Sequence, residues 1–174
     1  MATFDMTAKS TAGVDSNSIA VLPSARNKTY LAETILDIAK LVTAGTFSTV
    51  SNGDIFQVLE IPAGTVVIAA GAEVLTAWNG SSPTVDIDFA EGDDIVDGGD
   101  VSSTGFLASG TAGGANEPTA TTYTHFQSAT DTIDVNVIAA SSDVSVGILR
   151  VYAICCDLTG VADNADEVDR DQLA

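Results

Sequence analysis

The stretch of this chain whose residue types could do chemistry is "DFAEGDDIVDGGDV", residues 88–101, with six carboxylates, three glycines and no basic residue. Calcium is held by several oxygen ligands at once, and aspartates spaced by glycine let a loop curl around the ion. Asp93, Asp94, Asp97 and Asp100 are therefore the candidate metal ligands, and calcium is the one cofactor to consider. The spacing does not follow the EF-hand pattern D-x-[DN]-x-[DN]-G, because Ile95 and Val96 fall where ligands are needed. It also lacks the repeated Gly/Asp pattern of calcium-binding β-rolls. The simpler reading is an exposed loop joining two strands, its charges keeping it hydrated, and the spacing favours that reading.

Other chemistry is sparse. The single histidine, His125 in "TYTHFQ", lies in a strand-like segment, where a lone imidazole is more often a packed or surface residue than a catalyst. No nucleophile elbow, phosphate loop or H-E-x-x-H motif is present. Two carboxylates would be enough for a glycosidase, but sugar sites also want aromatic platforms, and the one tryptophan, Trp78, stands beside a turn. Cys155 and Cys156 are adjacent. In a strand they point to opposite faces, so they are expected as plain thiols, at least one of them in the core. No catalytic residue is assigned, and the chain is not expected to be an enzyme.

Charge narrows the partners. The formal net charge is -18 over 174 residues, with six Lys and Arg against 24 Asp and Glu. Phosphate backbones and anionic membrane surfaces are bound through basic side chains, so neither nucleic acid nor membrane is expected as a partner. The N-terminus has no basic-then-apolar design, so no signal peptide is expected. Between Leu41 and Leu149 there is no Lys or Arg at all. Three parts follow: a polar arm over residues 1–27, a folded body over 28–158, and an acidic tail over 159–174.

The elements that would position any site read as all-β. Turn signals recur at "SNGD", "PAG", "NGSSP", "DGGD", "GTAGGANEP" and "ASSD". "TVDIDFA" (84–90) places Val85, Ile87 and Phe89 on one face and Asp86 and Asp88 on the other, and "TIDVNVIA" (132–139) alternates likewise. Such alternation predicts strands with one dry and one wet face. "DIFQVLEI", "TVVIAAGAEVLTAW" and "VSVGILRVYAICCDL" are more apolar and belong nearer the centre of a sandwich. Seven to nine strands with short turns predict an all-β domain, a β-sandwich or a jelly roll. One segment conflicts. In "LAETILDIAKLV" (31–42), Leu31, Ile35, Ile38 and Val42 recur at helical spacing.

Taken together, "GDIFQVLEIPAGTVVIAAGAEVLTAW", "TVDIDFAEGDDIVDGGDV" and "TIDVNVI…VSVGILRVYAICCDL" resemble small virion structural proteins of tailed bacteriophages, of the head decoration (cement) type. The resemblance covers roughly residues 30–158 and rests on a strand–"IPAGT"–strand core, the aspartate-glycine loop and a final strand pair. It implies a jelly-roll-like body, usually oligomeric and suspected trimeric, that binds the major capsid protein on the head exterior and stabilises the shell. It also implies an extended chain at "ETILDIA", hence a first strand over 29–38 in place of the helix. Lys9, Arg26 and Lys28 stand apart from the acidic body and are the candidate capsid-binding residues, on an arm able to order as it binds. Two other classes stay open: a tail, fibre or receptor-binding component using the Tyr123–Phe126 aromatic cluster, and a calcium-dependent carbohydrate-binding or adhesion module.

Overall fold

The computed structural model describes residues 3–5, 14–16, 29–89, 95–108, 125–139 and 143–158. It is an all-β antiparallel sandwich of two sheets. In chain order the strands are β1 (Thr3–Asp5), β2 (Val14–Ser16), β3 (Thr29–Asp37), β4 (Ile55–Ile61), β5 (Thr65–Thr76), β6 (Thr84–Phe89), β7 (Val96–Asp100), β8 (Gly105–Ala108), β9 (His125–Gln127), β10 (Asp131–Ala139) and β11 (Ile148–Asp157), with one short helix, α1 (Ile38–Thr43), after β3.

The first sheet runs β1-β4-β10-β6-β7 and the second β2-β3-β11-β5-β8, with β9 also on β5. The chain repeatedly passes from one sheet to the other, as between β4 and β5 and between β10 and β11, so sequence neighbours seldom pair. β5 and β11, cut from the two most apolar segments, lie in the middle of the second sheet, where a strand with partners on both sides is shielded best. Between the sheets Phe56, Leu36, Leu59, Ile87, Ile133 and Leu149 are fully buried. Among the described strands one pair is parallel, β1 on β4, with Thr3 opposite Ile55.

The conflicting segment resolves in two halves. Residues 29–37 are strand, as the resemblance implied, and the helical spacing is realised only afterwards, in α1. Leu31 and Ile35 belong to the outward face of β3, while Ile38 and Leu41 are buried from the helix. Asp37 makes the switch: its backbone is extended, and its Oδ1 accepts the Lys40 N–H at 3.1 Å, so it caps the first turn.

Two expectations need correction. "DGGD" is not a turn between strands but lies inside β7, where Gly98 sits at φ +60 beside an irregularity in the β6–β7 register. Asp86 and Asp88 do point away from the apolar side of β6, yet they are not wet: they are 9% and 1% exposed. Alternation along a strand fixes which way a side chain points, and what lies over that face is set by distant parts of the chain.

Candidate functional site

The two outer faces of the sandwich differ sharply. That of the first sheet is acidic. β4, β6, β7 and β10 contain no Lys or Arg, and Glu60, Asp86, Asp88, Asp100 and Asp134 all stand on their outward side. Asp88 and Asp134 are direct cross-strand neighbours, and Asn136 faces Asp86. A hydrogen-bond network holds these groups: Asn136 Nδ2 donates to Asp88 Oδ2 at 2.8 Å, Thr132 Oγ1 to Asp134 Oδ1 at 2.6 Å, and the Gly98 N–H to Asp86 Oδ1 at 2.6 Å. The bulge at Gly98 thus aims a backbone donor at a carboxylate removed from water, which needs such partners.

Of the four aspartates singled out as calcium ligands, Asp97 and Asp100 lie on β7, and Asp93 and Asp94 lie outside the described residues. Asp97 is half-buried and Asp100 exposed. Asp100 Oδ1 accepts the Ser102 N–H at 2.8 Å, and hydrogen bonds from the Ser102 side chain and backbone hold its carboxyl below the usual range. The carboxylate therefore shapes the chain that follows it. Among the described residues no three His, Cys, Asp or Glu side chains are placed to share a metal ion.

The outer face of the second sheet is largely apolar. Cross-strand register sets its rows: Ile35–Arg150–Glu73–Phe106, then Glu33–Tyr152–Gly71, then Leu31–Ile154–Ala69, then Thr29–Cys156–Val66–Phe126. Six of the nine large apolar side chains exposed among the described residues stand here: Leu31, Ile68, Leu75, Phe106, Phe126 and Ile154. Ile68 and Leu75 are the extra residues at two β-bulges in β5, which turn them outward beside Ala69 and Thr76. Phe106 and Phe126 are 62% and 56% exposed. On β3, β11 and β5 the face has one charged knot, where Arg150 bonds Glu33 through Nε (2.9 Å) and Nη2 (2.8 Å) and Glu73 through Nη1 (3.2 Å), and at the β2 edge Asp15 stands in register with Ile35.

The remaining candidates are held by local packing and hydrogen bonds. His125 is half-buried, stacks on Phe89 with centroids 4.5 Å apart, and hydrogen-bonds Gln127 Oε1 at 2.7 Å. Both thiols are free: Cys155 is buried and Cys156 half-exposed on the opposite side of β11. Burial pushes the Cys155 thiol up to about 11, which withholds the nucleophilic thiolate. Trp78 is buried under the loop at 143–147, which the Asn79 carboxamide pins by accepting from the Ser145 and Val146 N–H groups at 2.9 and 2.8 Å.

No known protein family matches the chain, and no curated protein matches it in sequence. A solved structure does match it. A chain of the structure described as the capsid of Ralstonia phage GP4 superposes with a TM-score of 0.62 at 11% identity, covering 89% of this chain and 97% of that one. The two chains share a fold. A chain from the acidic stable capsid structure of Helicobacter pylori bacteriophage KHP30 aligns over 72% of this chain and 86% of its own, at 17% identity and a TM-score of 0.42.

The sequence-based site residues map unevenly onto this fold. Lys9, Arg26 and Lys28 lie outside the described residues, as does Tyr123 of the aromatic cluster, whereas Phe126 stands exposed on β9. Phe106 and the apolar outer face went unnoticed. A signal for them was present, because β3, β5 and β11 lack the clean apolar/polar alternation of β6 and β10. Strands apolar on both sides within a two-layer sandwich have a second face to cover. No helix among the described residues is long and apolar enough to cross a membrane.

Proposed function

We propose that this chain is a bacteriophage virion structural protein that decorates the capsid, binding the outer surface of the lattice and stabilising the head without performing chemistry. The observation that carries this reading is the shared fold with a chain of the Ralstonia phage GP4 capsid structure, which takes in nearly the whole of both chains. The character of the surfaces supports it. A stabilising shell component acts by burying area, and this sandwich offers a broad apolar sheet face and an acidic one, while its histidine and buried thiol are engaged in packing. The partner on this reading is the major capsid protein, gripped through the N-terminal segment that carries Lys9, Arg26 and Lys28.

The test is the copy number of the chain in purified virions, by quantitative mass spectrometry against the major capsid protein. A number comparable to that of the capsid subunit is expected. A handful of copies per particle would favour a tail or fibre component, for which the exposed Phe126 is the place to look for a ligand. Absence from virions would end both readings. Given a positive result, the triple variant Lys9→Glu/Arg26→Glu/Lys28→Glu, which leaves β1 and β2 in place, is expected to empty the heads of the protein.

A further inference from the structure

We propose that the apolar outer face of the β3–β11–β5 sheet, with Phe106 and Phe126 at its β8/β9 edge, is where a second copy of this chain docks. Clustered exposed apolar side chains on a folded domain mark interaction surfaces, and here they form two groups on one face, separated by the Glu33–Tyr152–Gly71 row. Leu31, Ile154 and Ile68 cross the sheet in and beside one row, Phe126 ends the next, and Phe106 and Leu75 stand at the other end of β5.

Charge selects the occupant. Two copies of a chain carrying a net -18 repel, so they can meet closely only where charge is sparse or compensated. On β3, β11 and β5 the outward charged side chains are Glu33, Glu73 and Arg150, and the arginine bonds both carboxylates. The opposite face has five outward-pointing carboxylates, of which Glu60 and Asp100 are exposed, Asp134 is half-buried and Asp86 and Asp88 are buried, on strands without a single Lys or Arg. That face would suit a basic partner and refuse a copy of itself. The β3–β11–β5 face has the reverse character: it offers an unlike-charged partner little and a like-charged one an apolar surface with its acids already paired. The chain's own C-terminal segment fits it poorly, since residues 159–174 carry five acids and one arginine.

This inference does not depend on the virion reading, because it concerns the isolated protein, so the two can fail separately. The experiment is the molar mass of the purified full chain by light scattering coupled to size exclusion, with sedimentation velocity across a dilution series. The wild type is expected at an integer multiple of one chain. Phe106→Asp/Phe126→Asp places charge at two side chains that contribute little to the core, and is expected to weaken association at least about 100-fold and yield monomer. Leu31→Asp, on the far side of the face, is expected to act in the same direction if the double variant fails to fold. Circular dichroism and the melting temperature report folding in each case. A wild type that stays monomeric at all concentrations overturns the proposal. So do folded variants that keep the wild-type mass.

Discussion

Gly147 lies flat against the indole of Trp78, so close that a Cβ at position 147 would overlap the Trp78 ring atoms Cδ1, Cγ and Nε1. The glycine is also held at φ +153, where side chains are disfavoured, and its carbonyl accepts the Ile38 N–H at 3.0 Å at the start of α1. One residue thus joins the loop before β11, the only tryptophan and the start of the helix. Gly147→Ala is expected to destabilise the protein by about 2–4 kcal/mol, through steric overlap and an unfavourable φ together. Urea unfolding with an unchanged m-value checks this. A loss below about 1 kcal/mol would mean that the Trp78 loop yields easily.

Arg150 ties three strands, reaching Glu33 on β3 and Glu73 on β5 from β11 between them. Arg150→Met keeps much of the side-chain volume but leaves two half-buried carboxylates without their cation. A loss of about 1–2 kcal/mol is expected, since the site is partly hydrated. Adding Glu33→Gln and Glu73→Gln in the Arg150→Met background should recover most of it. A triple variant no better than the single one would assign the loss to packing of the arginine stem.

The thiol of Cys155 moves from an ordinary 9.0 to about 11 because burial disfavours its charged form. In the unfolded chain the thiol ionises first, so folded stability from this group is complete below pH 9 and declines as the pH rises from 9 to 11. Burial raises Tyr30 as well, which adds a decline in the same direction above its ordinary 10.0. Chemical denaturation across this range should show a fall that shrinks, without vanishing, in Cys155→Val. Iodoacetamide on the native protein should label Cys156 well before Cys155.

Calcium is the remaining cofactor question for residues 88–101. Within the described part of this segment Asp100 already accepts from the Ser102 N–H and Asp88 from the Asn136 carboxamide. Millimolar calcium and its removal by EDTA are expected to leave the melting temperature unchanged. A calcium-specific rise of several degrees, absent with magnesium, would place an ion among Asp93, Asp94, Asp97 and Asp100, since a ligand bound only by the folded state stabilises it.

Much of the fold was legible because strand patterns are local. Val85, Ile87 and Phe89 announced β6, Ile133, Val135 and Val137 announced β10, and the most apolar runs became the central strands β5 and β11. Opposite faces for Cys155 and Cys156 followed from the same period of two. The segment 31–42 was harder, since its apolar spacing fits a helix throughout. Pairing of β3 with β11 over nine residues outweighs a helical preference that has no partner to pack against until Ile38.

The sequence by itself determined the class of the fold, the faces of the alternating strands, the thiol chemistry and the net charge, because each depends on residue type or on neighbours two positions apart. Only the tertiary structure decided which face is covered and which is bare. Asp88, polar and expected in water, is 1% exposed, whereas Phe106, apolar, is 62% exposed. Local sequence sets the direction of a side chain, but its burial depends on strands brought beside it from far along the chain. Whether a carboxylate stands over an amide donor or an arginine is likewise a matter of register between β6 and β10, or among β3, β11 and β5.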